Sequence, residues 1–458
     1  PTMLRIYPKI LFGQATSYIN DQKLNEADDL LTKVIRDPNA GPVLPFADFW
    51  KGEVSYRLSR YEEAIKYMND YLQYGGVQGE ANPKDARYVV GYSYLETENY
   101  VQAIPNFKLV ASAISANSSA LEQDAYVRMA DCYFMQKNYS TAKSMYQNVI
   151  NLGLSQGDYA LYQVALINGI NNPAAKIKTF NTLTERYPES DLVPESYLQI
   201  ANAYMVQENF KDAIPYLNKI LNIKSASGQY PKVYLKLGLA NYNMNNNTEA
   251  LKDYQKLVND YPQSAEADEA LDNMKNIYVE IGKPNEYVDF LNKAGKVISI
   301  SEADSLTYAA AELKFTNNDC AGAITAFNNY LSSYPKGAYT LKANFYKSEC
   351  YYKNNDYANA VTGYEAVVDQ GNSPYAERAA LAAARINYLQ LKNYQKSTIY
   401  FSKLNELATT PDNQLEALRG LVRSYYQTKD FTQANNTAKE LLTKKGISSD
   451  DKAIGNLV

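Results

Sequence analysis

One short pattern returns from end to end of this chain and decides what it can fold into. Asn209-Phe210-Lys211-Asp212-Ala213 sets a polar residue, an aromatic and, three places later, an alanine. Arg60-Tyr61 with Ala64, Asn99-Tyr100 with Ala103, Asn138-Tyr139 with Ala142, Asp356-Tyr357 with Ala360 and Asp430-Phe431 with Ala434 repeat it. With the alanine as anchor, the anchors are Ala27, Ala64, Ala103, Ala142, Lys176, Ala213, Ala250, Tyr287, Ala323, Ala360, Ser397 and Ala434. Successive steps are 37, 39, 39, 34, 37, 37, 37, 36, 37, 37 and 37 residues. Lys176, Tyr287 and Ser397 depart from the alanine, but Asn172-Pro173, Lys283-Pro284 and Asn393-Tyr394 mark their turns where the period requires them. A period of this length means stacked supersecondary units, and here it leaves no room in 458 residues for a separate globular domain.

Each unit reads as two helices joined by a short turn. Tyr197, Ile200, Ala201 and Tyr204 are spaced i, i+3, i+4, i+7 before the anchor Ala213, and Ala213, Leu217, Ile220 and Leu221 form a stripe on the other side. The second stripe recurs as Ala64, Met68, Tyr71, Leu72 and as Ala360, Tyr364, Val367, Val368. Twelve places before their anchors stand Gly52, Gly91, Ala130, Ala201, Gly238 and Ala311, so short side chains meet where two helices cross at close range. The turn aromatic is expected to cover the open end of the pair. Tyr187-Pro188, Tyr261-Pro262 and Tyr334-Pro335 end second helices, with Ser190 and Ser264 as caps for the next helix. Gly75-Gly76, Gly153, Gly228 and Gly371 are the other stops, and Asp37 to Pro45 and Tyr74 to Pro83 are lengthened loops between units.

These residues resemble the tetratricopeptide repeat. Tyr197, Ile200, Ala201, Tyr204, Phe210, Ala213, Leu217 and Ile220 match its order of aromatic, aliphatic, small, aromatic, turn aromatic, alanine and apolar residues, and Tyr126, Met129, Ala130, Tyr133, Tyr139, Ala142, Tyr146 and Val149 match it again. The resemblance implies an all-α, right-handed superhelical solenoid over residues 1–458 that acts as a non-enzymatic scaffold for a protein or peptide partner. The Tyr-Pro-x-Ser endings resemble tetratricopeptide repeat proteins of the Gram-negative envelope, which sets a periplasmic or outer-membrane-associated location against a cytoplasmic alternative.

In such arrays the first helix of each unit lines the concave face, so residues 15, 11, 8 and 7 places before the anchor are expected to form a partner-binding groove. That rule selects Phe49, Glu53, Tyr56 and Arg57, then Tyr88 and Tyr92, then Asp131 and Phe134, then Asn202, Met205 and Tyr242. Further on it selects Tyr308, Glu312, Phe345, Glu349, Tyr352, Arg423 and Tyr426. An aromatic floor with scattered acids suits an extended or helical segment. Most of the 43 tyrosines are accounted for by packing at helical spacing. The family's clamp for a C-terminal carboxylate, a lysine four places before an asparagine, is missing, since Leu198 precedes Asn202. Aromatic faces also suit sugar rings, so the rival reading is a carbohydrate or cell-wall binder, or the targeting arm of a larger enzyme.

With 46 basic and 50 acidic residues the chain has no electrostatic footprint for nucleic acid. No apolar run approaches the roughly 20 residues that span a bilayer. The sequence contains no histidine and no phosphate-cradling glycine loop, so no catalytic residue, metal site or cofactor is expected. Cys132, Cys320 and Cys350 are odd in number and widely spaced, which reads as no disulfide framework. The chain opens at Pro1 and stops within 447–458, which the period makes the start of a thirteenth unit, so a piece of a longer protein is expected.

Overall fold

The structure is a computed structural model that describes residues 2–74 and 81–456. Two compact units divide the chain, residues 1–244 and 245–458. Among the described residues the regular elements are all helical. In the first unit these are α1 (Thr2–Asn20), α2 (Leu24–Arg36), α3 (Leu44–Arg57), α4 (Tyr61–Leu72), α5 (Pro83–Glu96) and α6 (Tyr100–Val110). Next come α7 (Ala120–Met135), α8 (Tyr139–Leu152), α9 (Gly157–Asn168), α10 (Pro173–Arg186), α11 (Val193–Val206), α12 (Phe210–Leu221) and α13 (Tyr230–Asn243). The second unit holds α14 (Asn247–Asp260), α15 (Ala265–Glu280), α16 (Pro284–Lys293), α17 (Ile300–Thr316), α18 (Cys320–Ser333) and α19 (Thr340–Lys353). It continues with α20 (Tyr357–Asp369), α21 (Ala376–Arg385), α22 (Tyr394–Leu407), α23 (Pro411–Gln427), α24 (Phe431–Thr443) and α25 (Ser449–Asn456). Within each unit, successive helices pack against one another as an all-α repeat stack.

Every anchor of the repeat is the fourth residue of an even-numbered helix. The turn in front of it is built the same way almost throughout. Except at Asn171 in the α9–α10 turn, the residue five places before the anchor is left-handed, from Gln22 (φ 59°) through Lys137 (φ 61°) to Lys429 (φ 62°), and in the α15–α16 turn it is a glycine, Gly282. The left-handed residue lets the next N–H reach back past the end of the first helix, as in Asn138 N to Tyr133 O (2.9 Å) and Asn99 N to Tyr94 O (2.8 Å), which closes that helix. That next residue is at once the N-cap of the second helix. Asn99, Asn138, Asn172, Asp319, Asp356, Asn393 and Asp430 accept an N–H of the first turn on their side chains. Two helix ends are therefore satisfied by two consecutive residues.

Ten of these left-handed positions carry a side chain. A β-carbon there costs on the order of 1 kcal/mol, partly offset by the greater freedom glycine has in the unfolded chain. Lys137→Gly is accordingly expected to raise the unfolding free energy by a few tenths of a kcal/mol, and Lys137→Val to lower it by about 1 kcal/mol or more, read from urea unfolding curves.

The second helices supply the core. Four places after their anchors, Met68, Phe107, Tyr146, Phe180, Phe327 and Tyr364 are fully or almost fully buried. The small residues twelve places before the anchor make room for these large side chains. A methyl group at Gly91 would come within 2.7 Å of the Phe107 ring, and one at Gly52 within 2.7 Å of Met68. The crossing is thus small against large rather than small against small.

Several local expectations need correction. Ser264 caps α15 as expected, but Ser190 caps no helix. Its hydroxyl donates to Asp158 and accepts from Leu192 N, while α11 begins three residues after Ser190. Gly228 stops nothing, since it lies inside the 3-10 turn Lys224–Gln229. The connector after Asp37 ends before Pro45, because the 3-10 turn Gly41–Val43 runs directly into α3, which begins at Leu44. Gly75-Gly76 falls outside the described residues. The cysteines are also paired: Cys320 at the start of α18 and Cys350 on α19 form a disulfide, with α-carbons 5.1 Å apart. Their separation of 30 residues is wide in sequence, yet α18 packs directly against α19. Cys132 is free and buried, and burial pushes its thiol up to about 12.

A candidate partner-binding cleft on the first helices

Three successive first helices, α3, α5 and α7, enclose a cleft of about 400 Å³ in the first unit. Phe49, Glu53, Tyr56, Asp85, Tyr88, Val89, Tyr92 and Leu121 line it. Phe49, Glu53 and Tyr56 are spaced by four and three residues, so they share one face of α3, as Asp85, Tyr88 and Tyr92 share one face of α5. The rings are fixed edge to face: Tyr56 to Tyr92 at 6.4 Å, Tyr88 to Tyr92 at 4.8 Å, and Tyr92 to the core ring of Phe107 at 5.4 Å. The turn aromatic Tyr61 sits 5.8 Å from Tyr56, so the turn ring braces a cleft ring as well as covering the pair. The same bracing holds for Phe134 by Tyr139, Tyr352 by Tyr357 and Tyr426 by Phe431.

A polar ladder supports the cleft from behind. Tyr88 and Tyr92 both donate to Asp124 Oδ2 on α7. Asp124 pairs with Arg128, and Arg128 pairs in turn with Asp131 at 2.6 Å. Asp131 accepts from the hydroxyls of Tyr146 and Tyr159, and Gln156 bonds both Asp124 and Arg128. Burial pushes the Asp124 carboxyl up, but hydrogen bonds from Tyr92, Gln156 and Tyr88 outweigh it and hold the group below its ordinary range. For Asp131 burial wins over the attraction of Arg128, and the carboxyl is raised. Burial, with the acceptor Asp124, pushes the Tyr92 phenol far up. Burial pushes Tyr56 up to about 12, helped by Glu96, Tyr61, Glu53 and Asp124. The phenols of this wall stay protonated as donors.

The remaining groove residues divide. Phe345 does not face a groove: it is 0 % exposed, packed against Tyr364 and Tyr375 with Arg378 over its ring at 4.8 Å. Phe49 is 5 % exposed, wedged between Trp50 and Tyr71, and offers the cleft only an edge. Tyr308 is also buried, stacked on Tyr339. Asp131 is taken up by the ladder rather than presented, and Glu349 accepts from Tyr364. Glu312 pairs with Lys342 at 2.8 Å, and Arg57 with Glu53 at 2.9 Å. Phe134, Asn202, Met205 and Tyr242 are half-buried, whereas Arg423, Tyr352 (48 %) and Tyr426 (52 %) are exposed. Asp85, Asp124 and Leu121 were missed by the spacing rule. Asp85 and Asp124 lie one turn further toward the helix start, 18 places before their anchors, and Leu121 lies about one turn beyond that, 21 places before Ala142.

Beside Phe49, Asp48 is only 3 % exposed. Burial pushes its carboxyl from 3.8 to about 6, against a hydrogen bond from Tyr74 and with Asp70 adding to the rise. The folded chain therefore holds this proton between about pH 4 and 6 while the unfolded chain releases it, and stability from this group is lost as pH rises through that window. Asp48→Asn is expected to remove that slope and to gain about 2 kcal/mol of unfolding free energy at pH 7, measured by denaturant unfolding at pH 4 and pH 7.

Profiles of the tetratricopeptide repeat match residues 12–86 and 308–377, residues 124–152 and 232–264, and residues 194–227, between them more than half of the chain. The chain is a tetratricopeptide repeat protein. No curated protein matches its sequence. Among solved structures it is similar to a tetratricopeptide repeat protein of Parabacteroides merdae, at 16 % identity over 58 % of this chain and 98 % of that one, with a TM-score of 0.39. The C-terminal part of a repeat-containing protein of Cytophaga hutchinsonii is similar at 17 % identity over 64 % of this chain and 98 % of that one, TM-score 0.39. Cut9 in its complex with Hcn1 is similar at 15 % identity over 98 % of this chain and 96 % of that one, TM-score 0.29. Superpositions this loose say nothing of what this tetratricopeptide repeat protein binds.

Proposed function

We propose that this tetratricopeptide repeat protein is a non-catalytic scaffold that binds an extended segment of a partner protein along its first helices, with the α3–α5–α7 cleft as the main contact. The carrying observation is that Tyr56, Tyr88 and Tyr92 converge on one cleft and are held there by Tyr61, Phe107 and Asp124 before any partner arrives. Preorganised aromatic side chains lose little entropy on binding, which is why such groups dominate interface energetics. For location we favour an oxidising bacterial envelope compartment, periplasmic or outer-membrane-associated. The Cys320–Cys350 disulfide supports this beside the Tyr-Pro-x-Ser turns, since structural disulfides persist mainly outside the reducing cytosol.

Selection of peptides from a displayed random library, run beside a glycan array, tests the reading. Peptides should be enriched, and Tyr56→Ala should weaken the best of them by about tenfold or more, as loss of an interface anchor does. Glycan binding with no enriched peptide would overturn the scaffold reading in favour of a carbohydrate-binding one.

A further inference from the structure

The second unit contains the same arrangement with its ligand built in. Tyr308 and Glu312 stand 15 and 11 places before the anchor Ala323, as Phe49 and Glu53 stand before Ala64. In the next repeat Lys342, 18 places before Ala360, reaches back to both: its ammonium is 2.8 Å from Glu312 and lies over the rings of Tyr308 and Tyr346 at 5.3 and 5.8 Å. The residue 18 places before Ala103 is Asp85. Where the second unit supplies a lysine between an acid and aromatic rings, the first unit supplies a second acid.

The result is a cleft with aromatic walls and two carboxylates, of which Glu53 pairs with Arg57 of its own helix and Asp85 has no cation beside it among the described residues. Other aromatic faces in the chain are covered from within, Tyr159 by Arg128, Tyr197 and Tyr216 by Lys219, and Phe345 by Arg378. Among the described residues no lysine or arginine lies over Phe49, Tyr56, Tyr88 or Tyr92, and residues 75–80 contain neither residue type. Glu53 is answered by Arg57 from its own helix, but the Asp85 carboxylate touches only the Asn82 amide and has no ion-pair partner among the described residues. Arg128, the other nearby cation, is committed to Asp124 and Asp131. The negative field is felt at Tyr56, whose phenol burial raises first and Glu96, Glu53 and Asp124 raise further. An aromatic wall beside the Asp85 carboxylate, which has no ion-pair partner among the described residues, attracts a cation through both the ring quadrupole and direct charge.

We propose that the cleft between α3 and α5 receives a lysine or arginine side chain, its charge between Glu53 and Asp85 and its methylene stem along the rings of Tyr56, Tyr88 and Tyr92. This rests on the reading of the cleft as a partner-binding site and adds which residue the partner must bring. The volume of about 400 Å³ is at the small end of ligand pockets and suits one long side chain rather than a whole helix.

The test uses the full chain with 3-fluorotyrosine placed at position 56 and fluorine NMR as the readout. The probes are the N-acetyl, N'-methylamide derivatives of lysine, arginine, norleucine and glutamate. The basic probes should give a saturable shift, with norleucine and glutamate weaker by about tenfold or more, the factor that 1.4 kcal/mol of charge recognition supplies. Asp85→Lys, which copies Lys342, should abolish the shift, and the milder Asp85→Asn should weaken it severalfold, with helix content by circular dichroism confirming that both variants fold. Equal shifts from norleucine, no saturable shift from the basic probes, or undiminished binding in both Asp85 variants would overturn the proposal. The two readings fail separately. Display-selected peptides that bind the cleft without a basic residue would sink the cation slot and leave the scaffold standing. Basic probes that bind while no peptide is enriched would do the reverse.

Discussion

Arg128→Met is expected to lower the unfolding free energy by about 3 kcal/mol, because it leaves two neighbouring carboxylates in a largely water-free setting. Asp124 and Asp131 approach the same guanidinium from either side, and among the described residues neither has another cation within ion-pairing distance. Methionine keeps the apolar stem, so the loss reports charge rather than packing. Adding Asp124→Asn and Asp131→Asn to the variant should therefore recover most of the stability, since a neutral network has little left to repel. A triple variant no more stable than Arg128→Met would assign the cost to packing. The pH dependence comes from Asp131, whose carboxyl burial already raises while Arg128 pulls it down. Without Arg128 it rises further, and a group with a raised folded value contributes stability at low pH that is lost as pH climbs through that value. The deficit of the variant should accordingly be small near pH 4 and full at neutrality, by urea unfolding at both.

Removing the disulfide is the second large effect. Cys320→Ser with Cys350→Ala opens a loop of 30 residues between α18 and α19, and loop-closure entropy assigns such a loop about 3 to 4 kcal/mol. Because repeats couple mainly to their neighbours, hydrogen exchange should rise first in α17 to α20. The thiols give a direct check. Cys132 is fully buried with its thiol held up to about 12, so the native chain should show no reactive thiol, the unfolded oxidised chain one and the reduced unfolded chain three. Three thiols in the unfolded chain without reductant would contradict the pairing.

The repeat made most of the fold readable, because periodicity reports helix faces directly. Ala64, Met68 and Tyr71, or Ala142, Tyr146 and Val149, are buried as their spacing implies. The left-handed turn residue was not readable: Glu98, Lys137 and Lys429 have no intrinsic preference for that conformation, and the Schellman hydrogen bond with its adjoining N-cap imposes it. The cleft was partly legible. Glu53, Tyr56, Tyr88 and Tyr92 were found from the concave-face rule that the family resemblance implies, whereas Phe345, at the same register as Tyr88, is buried because Tyr375 and Arg378 of the next repeat close over it. Contacts between repeats are set by residues such as Asp124 and Lys342, which like Asp85 stand 18 places before their anchors. Continuing the three-four-three spacing by one more turn would have reached them. The disulfide was hidden because an odd cysteine count argued against pairing, while the pairing depends on which helices are neighbours.

The most direct measurement is site-specific photocrosslinking of a display-selected peptide. A benzophenone side chain at Tyr56, inside the cleft, is compared with one at Glu63, on the exposed side of α4. Crosslinking from position 56 and not from position 63 is the expected result, and crosslinking from position 63 alone would contradict a partner held on the first helices.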